Sequence, residues 1–153
     1  MNSRSVLPSV LIAGVVIGLL GNLPILNLVN CVLCLWVWVG GALAIILYRR
    51  FQRGQPGPTP AQGAVLGALS GLVGAFLGAV VFFATASISG PILESLARTL
   101  QVEGDLPIGA GTPAEYLSQT LIFLVIDVVL YPLFGALSGF IAANMGKAKP
   151  AAA

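Results

Sequence analysis

Apolar residues run almost unbroken through four stretches of the chain, 6–21, 24–48, 63–87 and 117–144, and polar residues collect between and beyond them. A helix rises ~1.5 Å per residue and a hydrocarbon layer is ~30 Å thick, so each stretch predicts a helix that crosses a membrane. The expected fold is all-α, a four-helix transmembrane bundle. Gly21, Asn22, Leu23 and Pro24 predict a turn between the first two spans, and the stretch GQPGPTPAQ at 54–62 predicts a loop. Residues 88–111 form the one substantial connection. Within it, 91–101 places Ile92, Leu93, Leu96, Ala97 and Leu100 on one side of a helix and pairs Glu94 with Arg98 one turn apart. A short amphipathic helix is expected there, lying on the membrane surface or capping the bundle.

The last span begins at a helix-start pattern, Thr112, Pro113 and Glu115: a hydroxyl cap, a proline where a missing N–H is harmless, and a carboxylate reaching back. A single charge, Asp127, interrupts the apolar run that follows. A carboxylate at membrane depth is costly, so Asp127 is expected to face other helices or water. Tyr131 lies one turn on, and Gly135, Ser138, Gly139 and Ala142 continue the same face. Pro132 has no N–H to give the carbonyl of Val128, which leaves that acceptor beside the carboxyl group. Two readings stand together: a carboxyl satisfied locally, or a proton-handling pair of Asp127 and Tyr131.

Composition supports the membrane reading. The 153 residues are 58% hydrophobic and 8% charged, against about 25% charged in soluble domains. No separate soluble domain is expected, and the net charge of +2 gives no reason to invoke nucleic acid. Without histidine the chain lacks the commonest metal ligand and neutral-pH base. Arg4 precedes a first apolar run that resembles a secretory signal, but no small-x-small cleavage site follows, so the run reads as an uncleaved span. In a four-span topology Arg4, Arg49, Arg50, Arg53, Lys147 and Lys149 share one side, with only Arg98 opposite. The positive-inside rule makes that side the cytoplasm. A multi-pass protein of the cell inner (plasma) membrane is expected, N-in/C-in, with loop 49–62 cytoplasmic and the amphipathic helix in the second outer loop.

Glycine spacing marks close approach between helices. Gly14 and Gly18, then Gly63, Gly67 and Gly71, then Gly74 and Gly78, repeat every four residues. The pentapeptide GALSG occurs at 67–71 and again at 135–139, the second copy running from Gly135 to Gly139. Spans three and four are antiparallel, so the two copies are expected to face one another. The seams serve either the chain's own helices or a second chain, whether by self-association or in a larger membrane complex.

Cys31 and Cys34 form the one conventional reactive motif, a CxxC near the outer start of span two. Such a pair permits reversible disulfide chemistry when a helix N-terminus lowers a thiol pKa. With Asn27 and Asn30 it forms one polar helical face. The stretch Asn30, Cys31, Cys34, Trp36, Gly40, Gly41 resembles small prokaryotic four-span membrane proteins with an N-C-x-x-C-x-W stretch followed by Gly-Gly, a likeness that implies no activity. More weakly, topology and CxxC position resemble the quinone-linked disulfide-forming oxidases of the bacterial inner membrane. That resemblance implies thiol redox at Cys31 and Cys34 with quinone as cofactor. Those oxidases carry a second cysteine pair in the second outer loop and an arginine after the CxxC, and neither is in this sequence. Outside that reading no cofactor is evident, and a zinc site would need a second chain for its remaining ligands. Three functions remain open: a structural or complex-associated membrane protein, a thiol-disulfide protein, and a passage for a proton or small solute lined by Asp127, Tyr131, Asn27 and Asn30.

Overall fold

A computed structural model describes residues 3–22, 35–52, 55–99 and 113–145. They form four helices, α1 (Ser3–Asn22), α2 (Leu35–Phe51), α3 (Pro60–Thr99) and α4 (Pro113–Met145), and no strand is present among them. Three helices hold segments long and apolar enough to cross a membrane: Arg4–Gly21, Pro60–Thr85 and Leu117–Met145. The second expected span, 24–48, is helical from Leu35 onward, and its first part lies outside the described residues, as do Asn27, Asn30, Cys31 and Cys34.

The helices pack as a diamond. α1 and α4 occupy opposite corners without meeting among the described residues, and each lies against both α2 and α3, which touch across the middle. Residue pairings fix the directions. An added Cβ at Gly14 would meet Val73 and one at Gly18 would meet Leu77, so α1 and α3 run parallel. Gly63 meets Gly139, Gly67 meets Gly135 and Gly71 meets Tyr131, so α3 and α4 run antiparallel. Gly41 of α2 meets Ser138, while Arg49 reaches Ala142 and Ala143. The start of α1, the end of α2, the start of α3 and the end of α4 therefore share one end of the bundle.

Two layers of core fill the interior. Near that shared end Val10, Ile45, Tyr48 and Leu66 pack together, with Val6, Val73 and Ala142 at their edge. Deeper in, Ile17, Val37, Ala75 and Tyr131 bring all four helices together. The Tyr48 ring is buried and its hydroxyl accepts from Gln52 Nε2 at 2.8 Å, so the aromatic body is dry and its polar tip is satisfied at the bundle end.

Two expectations about α3 are corrected. Residues 60–62 belong to the helix rather than to the 54–62 loop, because TPAQ at 59–62 is a capping box. The Thr59 N–H donates to Gln62 Oε1 at 3.0 Å and the Gln62 N–H donates to Thr59 Oγ1 at 3.3 Å, with Pro60 in the first helical turn. The helix then runs through Gly90 and Pro91 to Thr99, so the 91–99 stretch continues α3 instead of forming a separate amphipathic helix. A single proline removes one N–H, and the bonds on either side of it suffice to carry a helix through.

Helix lengths now differ in a way that matters. α3 has 40 residues and α4 33, or ~60 Å and ~50 Å, against 20 residues and ~30 Å for α1. Away from the shared end, α3 and α4 continue as an antiparallel pair past the described ends of α1 and α2. The Phe82 and Phe123 rings meet edge to face there, 5.6 Å apart. Leu117, Leu121, Ile122, Val125 and Ile126 are exposed because no described helix covers them.

Candidate functional site

The inward stripe of α4 is where the polar and small residues expected to matter come together. Tyr131, Gly135, Ser138 and Gly139 are buried, Asp127 and Ala142 are half-buried, and Val125, Ile126, Val129, Leu133 and Leu137 face outward. The 3.6-residue period decides this separation, and a polar stripe turned inward is what an apolar surrounding requires.

Contact between α3 and α4 is backbone on backbone. An added Cβ at Gly67 would fall on the carbonyl oxygen of Gly135, and one at Gly135 would fall on the carbonyl oxygen of Gly67. The two GALSG copies thus face each other at their first glycines. Gly63 fits against Gly139 and Ala143, and Gly71 against the peptide between Tyr131 and Pro132. Gly14 and Gly18 lie on Val73 and Leu77, and Gly78 is buried with its amide 3.1 Å from the space beside Gly18. Gly74 takes part in a different fit, since Ile17 of α1 wedges between it and Gly40 of α2. Every one of these positions meets one of the chain's own helices.

The buried hydroxyls of Ser9, Ser70 and Ser138 turn to backbone carbonyls. Ser9 donates to the Ser5 carbonyl at 2.6 Å, and Ser70 donates to the carbonyls of Leu66 and Gly67 at 2.9 and 3.0 Å. Ser138 crosses between helices, donating to the Trp38 carbonyl at 2.7 Å, while the Trp38 ring tilts against Phe134 with centroids 6.1 Å apart. Ser138→Ala should therefore loosen α2 from α4. Interhelical bonds of this kind average roughly 0.6 kcal/mol, so the expected loss is small but measurable by unfolding in mixed micelles, and no loss would show that the contact carries no net stability.

Among the described residues, Asp127 lies where the four-helix part gives way to the α3–α4 pair. It stands one turn from buried Tyr131, flanked on α4 by half-buried Leu124 and Val128. Among the described residues its carboxyl has no hydrogen-bond or ion-pair partner. Glycine contacts and core packing thus converge at Tyr131, and the unmatched carboxyl lies just beyond. No group of three or more His, Cys, Asp or Glu suited to a metal is present among the described residues.

Sequence reasoning missed two features. The TPAQ box repeats the TPAE pattern recognised at 112–115, and its spacing could have revealed it. The other is Arg49, whose Nη2 donates to the carbonyls of Ala142 and Ala143 at 3.4 and 3.2 Å. These carbonyls lie in the last turn of α4, where acceptors lack intrahelical partners and a cation is favoured. Nothing in the sequence announces a contact across more than ninety residues. No family model, curated protein or solved structure matches this chain.

Proposed function

We propose that this chain is a small integral membrane protein with a structural role, packing with further copies of itself or within a larger membrane complex, and that it has no catalytic chemistry of its own. The supporting observation is the reciprocal backbone contact of Gly67 with Gly135, because it assigns the chain's most distinctive sequence feature to packing. The buried hydroxyls of Ser9, Ser70 and Ser138 support the same reading, being bonded to helix carbonyls. In this reading residues 24–48 supply a fourth span, both termini lie in the cytoplasm, and the membrane is the cell inner (plasma) membrane. Gathering Arg4, Arg49 and Arg50 at one end is what the positive-inside rule asks of that arrangement. Purification of the full chain in mild detergent tests the proposal. It expects a particle heavier than one chain, made of further copies or of other subunits. A lone monomer carrying bound quinone, with Cys31 and Cys34 cycling between alkylatable and oxidised forms, would establish the thiol-redox reading instead.

One observation favours a second reading, a passage for a proton or small solute. It is the half-buried Asp127 carboxyl, unpartnered among the described residues on the inward stripe. Asp127→Asn preserves shape and removes ionisation. With a structural role, this variant unfolds like the parent and proteoliposomes of both show the same proton flux; with a passage, the parent conducts and the variant loses at least about tenfold of its flux, as expected for a required proton carrier.

A further inference from the structure

The outward face of α2 is apolar for its whole length and then ends in a cation. Leu35, Val39 and Ile46 are exposed along it, and Arg50 follows one turn after Ile46 on the same face. Arg49, the preceding residue, is held from two sides. Its guanidinium bonds to the carbonyls of Ala142 and Ala143, and Gly57 packs beside its Nε, where an added Cβ would stand 3.3 Å away. The clamp on Arg49 fixes the end of α2, and Arg50 is left exposed with no ion-pair partner among the described residues. Among the described residues, charge at this end has one sign: Arg4, Arg49 and Arg50 are there, while Glu115 and Asp127 lie toward the other end of α4.

We propose that the Arg50 end of α2 is a binding site for an anionic phospholipid, the phosphate on the Arg50 guanidinium and an acyl chain along Ile46, Val39 and Leu35. Guanidinium is suited to this task, since its planar donors match phosphate oxygens in pairs. A zwitterionic lipid brings its own ammonium group toward Arg49 and Arg50, which have no carboxylate partner among the described residues, whereas a lipid with net negative charge does not. The site therefore selects for headgroup charge and not merely for a fatty chain.

Spin-labelled lipid in proteoliposomes of the full chain tests the site. Labelled phosphatidylglycerol should associate with the protein more strongly than labelled phosphatidylcholine, and the preference should weaken as salt is raised. Arg50→Gln should lower the preference about fivefold, the effect of removing one basic group near an anionic surface. Arg98→Gln, toward the far end of α3, should leave it unchanged, and helix content by circular dichroism identifies variants that have not folded. A parent protein with no preference for phosphatidylglycerol, or Arg50→Gln with the parent's preference intact in a folded protein, would overturn the assignment.

Discussion

Gly67→Val should separate α3 from α4 and cost on the order of 3 kcal/mol or more, the upper range for overfilling a packed interior. The magnitude follows from what the new side chain meets. At many core positions a neighbouring side chain can rotate away, but here the obstacle is the Gly135 carbonyl, which belongs to the facing helix backbone. Relief requires the helices to move apart, and that also opens the fits of Gly63 on Gly139 and of Gly71 on Tyr131. Lipid tails are as apolar as the helix surface, so van der Waals contact at short range is a principal force between spans and is lost as they separate. Equilibrium unfolding in mixed micelles measures the effect. Leu69→Val, at an exposed position on the same helix, is the comparison and should shift stability by less than about 0.5 kcal/mol. Equal stability of Gly67→Val and the parent would mean that this backbone contact does not hold the bundle.

The second large effect is a coupling at Ile17. This side chain is fully buried, with Cγ1 and Cδ1 in the place where a Cβ on Gly40 would go and Cγ2 in the place of one on Gly74. Ile17→Ala alone should cost about 2–5 kcal/mol through lost contact and a residual cavity. Gly40→Ala alone should cost about 1–3 kcal/mol, because the added methyl needs space that Ile17 occupies. Together, the smaller residue on α1 makes room for the larger one on α2, so the double variant should be more stable than the sum of the singles implies. A coupling between about 0.5 and 3 kcal/mol is expected for groups in direct contact. Strict additivity would show that Ile17 and Gly40 do not share the notch.

Both effects depend on a fit between residues distant in the chain, and this separates what could be read from the sequence from what could not. That α1, α3 and α4 are long and apolar enough to cross a membrane was legible, because one-dimensional apolar length is enough to predict a span. So was the inward stripe from Asp127 to Ala142, since helical period alone sorts polar from apolar faces. The meeting of the two GALSG copies was also anticipated, from antiparallel direction and equal depth. The continuity of α3 was not, because Gly90 and Pro91 are local signals for a break while the state of the helix depends on the bonds around them.

From its residues alone, the chain had to place its apolar lengths in lipid, turn its polar stripe inward and keep most of its cations away from its acids. Period, transfer cost and charge decide those matters locally. Only the folded bundle determined that the seam glycines serve the chain's own helices, that Ile17 fills a notch shared by two other helices, and that Arg49 closes the end of α4. It also set Asp127 half-buried on the inward stripe, one turn from the buried Tyr131. Such facts depend on which surfaces come within a few ångströms of each other, and short-range fit between remote segments has no counterpart in residue order.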